Sequence, residues 1–305
     1  MATKTPPSSS SPRRLRILML HGYTQSGPLF RAKTRALEKS LLKFFPSPAY
    51  ALSLHYPTAP INIKPADLPG FDPTTNISDG RFDSSVTAES TDAWGWWIRK
   101  GEREPYTYEG MEQGFARVAE VLKTEGPFDG VVGFSQGGAL SGMVASLLET
   151  GRKEAFEQAQ ARGGMAYPSS FLEEDTGYVE GDTVHAPLRF AVSYSGFGAS
   201  TNALYQAFYE PKIATPMLHF LGQVDTVVEE ARSLRLVDAC VEGKGEGGKR
   251  VVYHPGGHFL PSSQKQYVAA LAAFIMETMG WDETRQAAAA QKAGKNEESL
   301  DDFPF

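Results

Sequence analysis

The feature that most constrains the fold of this chain is the alternation of short apolar runs with helical patterns. Six runs are rich in apolar and β-prone residues: Leu15–Leu20, Tyr50–Leu54, Phe128–Phe134, Leu188–Tyr194, Met217–Leu221 and Arg250–Tyr253. Several runs alternate little between apolar and polar residues, which is typical of strands covered on both faces. Helical patterns separate them, at Phe30–Phe45, Gly110–Lys123, Ala139–Glu149, Glu229–Val241 and Gln264–Met279. This order predicts an α/β fold with a mostly parallel central sheet and helices on both faces.

Two long connections and both ends interrupt this alternation. Residues 57–109 are rich in Pro, Asp, Ser and Trp, whereas residues 151–187 begin with a charged, helix-like stretch and continue with Gly, Pro and acidic residues. Connections of this length in a compact domain are usually functional or disordered. We therefore predict one domain over residues 14–282 with two insertions, flanked by disordered tails at 1–13 and 283–305. A targeting role is the alternative for the Ser- and Arg-containing N-terminal segment.

Composition limits the kinds of partner and the cellular compartment that we expect for this chain. The chain of 305 residues is 41% hydrophobic and carries a formal net charge of −6, so it can bury a core and is not expected to bind nucleic acid. No apolar run approaches 18 residues, and no membrane span is expected. The single cysteine, Cys240, cannot form an internal disulfide, which favours a reducing, cytoplasmic location. We expect Cys240 to be a buried apolar residue of a helix and not a nucleophile.

The segment Gly-Phe-Ser-Gln-Gly at residues 133–137 is the strongest single chemical signal in the sequence. The pattern G-x-S-x-G is weak by itself because glycine and serine are common residues. Here it follows the apolar run at 128–134 and opens the helical pattern at 139–149. A strand, a sharp turn and a helix are what a nucleophile elbow requires. The segment therefore predicts Ser135 as a nucleophile, and a glycine-rich turn with a helix-capping serine is the structural alternative.

Candidate partners for this serine follow two later apolar runs. A serine hydroxyl needs a base, and in an α/β-hydrolase the acid and the histidine follow the nucleophile in that order. Asp225 comes just after Met217–Leu221, and His258 lies in His-Pro-Gly-Gly-His-Phe-Leu-Pro after the last run. We predict His258 as the general base and Asp225 as the acid that orients it. His254 is the rival base, although a structural role is expected at a strand end, and a helix N-cap is the alternative role for Asp225.

Acyl transfer also needs hydrogen-bond donors for a developing oxyanion. One expected donor is the backbone N–H of Gln136, directly after the serine. The second should come from an early strand-to-helix loop. The segment Leu-His-Gly-Tyr-Thr-Gln-Ser-Gly follows the first apolar run at residues 20–27, and its His-Gly pair suits a tight turn that exposes the N–H of Tyr23. An ordinary glycine turn is the alternative.

Four segments carry a resemblance to a known family: Leu-His-Gly-Tyr-Thr-Gln-Ser-Gly at 20–27, Gly-Phe-Ser-Gln-Gly at 133–137, Gly-Gln-Val-Asp-Thr-Val-Val at 222–228 and His-Pro-Gly-Gly-His-Phe-Leu-Pro at 254–261. Together they resemble the fungal family of serine hydrolases and its animal relative, the ovarian-cancer-associated serine hydrolase. The resemblance runs from about Leu15 to Met279. It implies an α/β-hydrolase fold and esterase or thioesterase activity without a metal or organic cofactor. Some fungal relatives release acyl chains from polyketide synthases, so the resemblance also implies an acyl group on a carrier protein as a candidate substrate.

The sequence thus predicts a serine hydrolase that cleaves small-molecule carboxylic esters or acyl thioesters through an acyl-enzyme on Ser135. A peptidase or amidase would use the same three residues, because they fix the reaction class and not the leaving group. A hydrolase-fold protein that binds a ligand without turnover is the alternative from another class. No metal site is expected, because only His254 and His258 are close in sequence and Pro255 with two glycines separates them.

Three of the four tryptophans lie within residues 94–97. We predict substrate-binding roles here: one ring of the pair Trp96 and Trp97 should line an acyl pocket beside Ser135 while the other packs into the core. The reason is that adjacent residues of an extended segment point to opposite sides, and ligand pockets are mostly apolar and aromatic. Simple attachment of the insertion to the domain is the alternative.

Overall fold

The computed structural model describes residues 11–64, 92–173, 183–242 and 250–281. Most of the two predicted tails and the middle of each insertion lie outside these ranges. The strands are β1 Arg13–Leu20, β2 Tyr50–His55, β3 Ile61–Asn62, β4 Trp94–Gly95, β5 Ile98–Lys100, β6 Thr107–Glu109, β7 Gly130–Phe134, β8 Phe190–Tyr194, β9 Met217–Gly222 and β10 Val251–His254. The helices are α1 Gly27–Lys33, α2 Arg35–Phe44, α3 Met111–Glu125, α4 Gln136–Leu147, α5 Arg152–Gln160, α6 Glu230–Asp238 and α7 Lys265–Thr278.

Six strands form the central sheet in the order β10-β9-β8-β7-β1-β2. All five neighbouring pairs are parallel, which confirms the predicted sheet. The six apolar runs of the sequence are these six strands. Because parallel strands share one carboxyl edge, the loops after β1, β7, β9 and β10 lie along the same end of the sheet.

Helices cover both faces of the sheet, as the low alternation of the strands predicts. Alternate residues of β1 enter two different hydrophobic clusters: Leu18 and Leu20 pack with α3 and α4, whereas Ile17 and Met19 pack with α2 and α7. Helix α4 is buried along its whole length. A strand or helix that is apolar on every side is stable only in the interior, which explains the continuous apolar runs.

Two local predictions are corrected. The pattern at Phe30–Phe45 is not one helix, because α1 ends at Lys33 and Thr34 separates it from α2. The hydroxyl of Thr34 donates to the carbonyl of Phe30 and lies 3.0 Å from the Tyr56 hydroxyl, which holds the chain at this break. Cys240 is buried as expected but lies beyond the end of α6, where it pairs with Ile213 in an isolated bridge.

The described parts of the first insertion form two small antiparallel pairs, β3 with β4 and β5 with β6. The second insertion begins with α5, in agreement with its charged, helix-like start. None of the helices in the described ranges has the length and apolar character that a membrane span requires.

Candidate active site

Ser135 occupies the sharp turn between β7 and α4. Its backbone has φ 54° and ψ −115°, a conformation that residues with side chains rarely adopt. The Ser135 N–H donates to the carbonyl of Tyr194 on the neighbouring strand at 2.8 Å. Gly133 and Gly137 permit the turn, since a Cβ on Gly133 would lie 1.9 Å from the Gly137 carbonyl oxygen. The predicted strand, turn and helix around the serine are therefore present.

The loops after β9 and β10 bring the two other predicted residues to this serine. The Nε2 atom of His258 lies 2.9 Å from the Ser135 Oγ, and its Nδ1 atom lies 2.8 Å from the Asp225 Oδ2. The side chain of Asp225 is 6% exposed and that of His258 is 15% exposed. A neutral imidazole with its proton on Nδ1 can donate to the carboxylate and accept from the serine hydroxyl at the same time.

Hydrogen bonds stabilise the ionised form of the Asp225 carboxylate. Burial disfavours the ionised carboxylate, but hydrogen bonds from the Val228 N–H, the His258 ring and the Val227 N–H outweigh it and lower the pKa of Asp225 below its usual value. Both N–H groups donate to Oδ1 at 2.9 Å, which leaves Oδ2 for His258. Asp225 therefore holds the turn before α6 through Oδ1 and contacts His258 through Oδ2. The N-cap of α6 is Glu229, so the helix-cap alternative for Asp225 is not what the structure shows.

The rival histidine, His254, lies away from the serine. It is 1% exposed at the end of β10, where its ring contacts the rings of Phe259 and Tyr267. Of the two histidines, the structure places only His258 within hydrogen-bond distance of Ser135.

The loop after β1 lies directly against the serine. A Cβ on Gly22 would lie 3.3 Å from the Cβ of Ser135. The next residues, Tyr23 and Thr24, turn towards the first insertion: the Thr24 N–H donates to the Trp94 carbonyl, and Thr24 has a φ of 65°. This path places the loop that carries the Tyr23 N–H beside the N-terminus of α4, which begins with Gln136.

His21, the histidine of the His-Gly pair at the start of this loop, is a structural residue for whose side chain the sequence predicts no role. Its Nδ1 lies 2.8 Å from the Gly22 carbonyl oxygen, and its Nε2 accepts from the Ala59 N–H at 3.0 Å. Burial lowers the pKa of His21 to about 4. A neutral ring with its proton on Nδ1 satisfies both contacts, so the histidine connects the loop to the chain after β2.

The predicted arrangement of Trp96 and Trp97 is wrong. These residues lie in a bend between β4 and β5 and not in an extended segment, and both are buried, at 0% and 1% exposed. A ring that lines an open pocket keeps part of its surface accessible, so neither ring is available to a substrate in this structure. Trp97 instead packs on Tyr108, with the ring centroids 5.2 Å apart.

A hydroxyl, an imidazole and a carboxylate in one hydrogen-bonded chain at the carboxyl end of a parallel sheet can activate an oxygen nucleophile. Among the described residues, no group of three or more His, Cys, Asp and Glu residues is arranged to hold a metal ion. Fold and site together define an α/β-hydrolase.

Comparison with known proteins gives the family. A family profile described as "Serine hydrolase (FSH1)" matches residues 10–270, and this chain belongs to that family. The resemblance seen in the sequence is thereby confirmed. "Family of serine hydrolases 3" from Saccharomyces cerevisiae is 30% identical over 85% of this chain and 83% of its own length. "Esterase OVCA2" from Danio rerio is 32% identical over 82% of this chain and 91% of its own length.

Two other similarities support less than family membership. A Schizosaccharomyces pombe protein named "Dihydrofolate reductase" is 30% identical over 86% of this chain, but the match covers 47% of that protein. This chain therefore spans about half the length of that relative. The crystal structure of Zea mays acyl-protein thioesterase 2 superposes with a TM-score of 0.51 at 20% identity, covering 88% of this chain and 96% of that one. This similarity shows a shared fold.

Proposed function

We propose that this serine hydrolase cleaves carboxylic esters or acyl thioesters through an acyl-enzyme on Ser135. The observation that carries the proposal is the hydrogen-bonded chain from Asp225 through His258 to Ser135, with both distances below 3.0 Å. Three residues from separate loops rarely meet in this order without a catalytic reason, and the order is the one that nucleophilic catalysis by serine needs.

The reaction follows from this geometry. The Ser135 hydroxyl passes its proton to the Nε2 atom of His258 as its oxygen attacks the carbonyl carbon of the substrate. Asp225 stabilises the imidazolium that forms. His258 then gives the proton to the leaving oxygen or sulfur, and the carbonyl re-forms as an acyl-enzyme. Water attacks this ester in the second half of the cycle, with His258 again as the base, and releases the carboxylic acid.

The negative charge that develops on the carbonyl oxygen needs fixed donors. We assign the backbone N–H of Gln136 and the backbone N–H of Tyr23 to this role. Support comes from the position of Gln136 at the N-terminus of α4 and from the close approach of Gly22 to Ser135. Donors supplied by the backbone are fixed before the substrate binds, which is what makes such a site effective.

An acyl substrate is supported by the relatives and by the surface around the site. The similar protein from zebrafish is named an esterase. Three apolar residues beside the proposed acid and base are exposed: Val224 at 62%, Val227 at 63% and Phe259 at 40%. Exposed apolar side chains next to the proposed acid and base favour a substrate with a hydrocarbon part over a charged one. An acyl group on a carrier protein is one such substrate. The compartment is proposed on separate grounds: a chain with a single cysteine has no internal disulfide, which supports action in the reducing cytoplasm.

Fluorophosphonate labelling separates this proposal from ligand binding without turnover. The wild-type protein should be labelled and should hydrolyse p-nitrophenyl esters and acyl thioesters. Ser135→Ala should lose labelling, and its kcat should fall by about 10³- to 10⁶-fold, because the three residues act as a unit. Ser141→Ala is the matched control: it removes a buried hydroxyl from the helix that follows Ser135, where Ser141 donates to the carbonyl of Gly138. A labelled Ser135→Ala protein would refute the assignment, and faster turnover of amides than of esters would favour the peptidase alternative.

A further inference from the structure

We propose that Trp96 is a positioning residue for the oxyanion hole: it fastens the segment that carries one donor to the segment that carries the other. This inference rests on the proposed function. Trp96 is fully buried and contacts both segments through different atoms, its backbone N–H on one side and its indole N–H on the other.

The first attachment is to the helix that begins after the nucleophile. The Trp96 N–H donates to the Gln136 Oε1 at 2.8 Å, and the Gln136 Nε2 donates to the Trp97 carbonyl at 2.8 Å. The two bonds fix the orientation of the amide, because the oxygen must face a donor and the nitrogen an acceptor. Gln136 is 5% exposed, so these bonds are shielded from water. The residue whose backbone N–H is proposed to bind the oxyanion is thus held by its own side chain.

The second attachment is to the loop after β1. The indole Nε1 of Trp96 donates to the His21 carbonyl at 2.9 Å, and the two rings lie 5.1 Å apart. The carbonyl of His21 belongs to the peptide that leads into Gly22 and then Tyr23. Its direction therefore sets the path of the loop towards the second proposed donor.

The surrounding packing leaves little room for Trp96 to move. A Cβ on Gly114 of α3 would lie 2.3 Å from the Trp96 carbonyl oxygen, so this helix lies directly against the backbone of the tryptophan. A Cβ on Gly137 would lie 2.6 Å from the His21 carbonyl oxygen. That carbonyl is therefore enclosed by the helix after the nucleophile on one side and by the indole on the other. A fixed spacing between the two donors follows from these contacts.

The spacing of the donors matters more in the transition state than in the ground state, since the charged oxygen is bound more strongly than the neutral carbonyl. A displacement of a fraction of an ångström should therefore lower kcat and leave KM nearly unchanged. The loss of a ring that only fills the core would lower the stability of the protein and would not lower kcat relative to KM.

Trp96→Phe keeps an aromatic ring and removes the indole N–H. We expect kcat for p-nitrophenyl esters to fall on the order of 10- to 100-fold, with KM within about twofold. The inhibition constant of an acyl trifluoromethyl ketone, which forms an oxyanion on binding to the serine, should rise by a similar factor. Trp94→Phe is the matched control, because the Trp94 indole donates to the Asp92 Oδ1 in an exposed position, and this variant should retain wild-type values.

A second variant keeps the test decisive if Trp96→Phe does not fold. Gln136→Met preserves the length of the side chain and removes both bonds of the first attachment, so it should show the same fall in kcat and the same weaker ketone inhibition. A lower melting temperature with unchanged kcat and unchanged ketone affinity in a folded variant would overturn the proposal, as would failure of both variants to fold. A wild-type protein that neither turns over esters nor labels would instead refute the proposed function itself.

Discussion

Replacing Asp225 by asparagine tests how the carboxylate acts on His258. Its Oδ1 atom accepts from two backbone N–H groups, those of Val227 and Val228, and its Oδ2 atom faces the His258 Nδ1 at 2.8 Å. An asparagine can keep the first two bonds only when its carbonyl oxygen takes the Oδ1 position. Its amide nitrogen then faces the imidazole. The reverse orientation would point an NH₂ group at two N–H donors and leave both without an acceptor, at a cost of about 1–3 kcal/mol for each.

The orientation that the backbone selects gives the wrong tautomer. An amide N–H donates to the Nδ1 of His258, so the ring proton moves to Nε2 and points at the Ser135 oxygen, 2.9 Å away. In this state Nε2 cannot accept the serine proton. The same substitution in a serine protease triad lowers kcat about 10⁴-fold. We expect a loss of that order here, which corresponds to about 5 kcal/mol in the activation free energy.

The assay is kcat for a p-nitrophenyl acyl ester near pH 8, with the melting temperature measured on the same preparations. Asp129→Asn is the matched control, because the Asp129 carboxylate also accepts a backbone N–H, that of Arg16, but lies at the opposite end of β7. This control should keep its activity. A folded Asp225→Asn protein with kcat within tenfold of wild type would show that Asp225 does not set the tautomer of His258.

Two other predictions follow from close packing and from buried histidines. Gly137→Ala would place a Cβ 2.1 Å from the carbonyl oxygen at the end of β1, so the free energy of unfolding in urea should fall by about 1–3 kcal/mol or more. Gly142→Ala, whose Cβ would be closest to the flexible end of a leucine side chain, should differ little, and equal losses in both would contradict the argument. Burial lowers the pKa of His21 to about 4 and that of His219 to about 3, whereas both should titrate near 6.5 in the unfolded chain. The unfolded chain therefore binds more protons as pH falls below 6.5, and the free energy of unfolding should decrease towards pH 4, by up to about 3 kcal/mol for His21 alone. Urea unfolding at pH 7, 5.5 and 4.5 checks this, and a constant value across the series would refute it.

The strands of the sheet could be predicted because burial on both faces forces an apolar sequence, and each of the six runs is one strand. The meeting of Ser135, Asp225 and His258 could be anticipated because parallel strands bring their following loops to one end. The break at Thr34 could not, since the helical period continues through it. That break depends on hydrogen bonds from the Thr34 side chain, one of them to Tyr56, 22 residues away.

The surroundings of Trp96 show more clearly that structure held by long-range hydrogen bonds cannot be predicted from the sequence pattern. The sequence draws attention to the tryptophan cluster, but the prediction assumed an extended backbone. The bend is instead held by Gln136, 40 residues away, and by the carbonyl of His21, 75 residues away. Long-range bonds between a side chain and the backbone leave no periodic pattern in the sequence.

The positive φ of Ser135 has a consequence for protein engineering. A backbone held in such a conformation costs about 1–3 kcal/mol, and the cost falls on the residue proposed as the nucleophile. Glycine adopts this conformation without strain, so a library selected only for thermal tolerance would enrich Ser135→Gly, which has no hydroxyl to attack with. Directed evolution of this protein therefore needs turnover in every round of selection, because heat resistance and reactivity oppose each other at this one position.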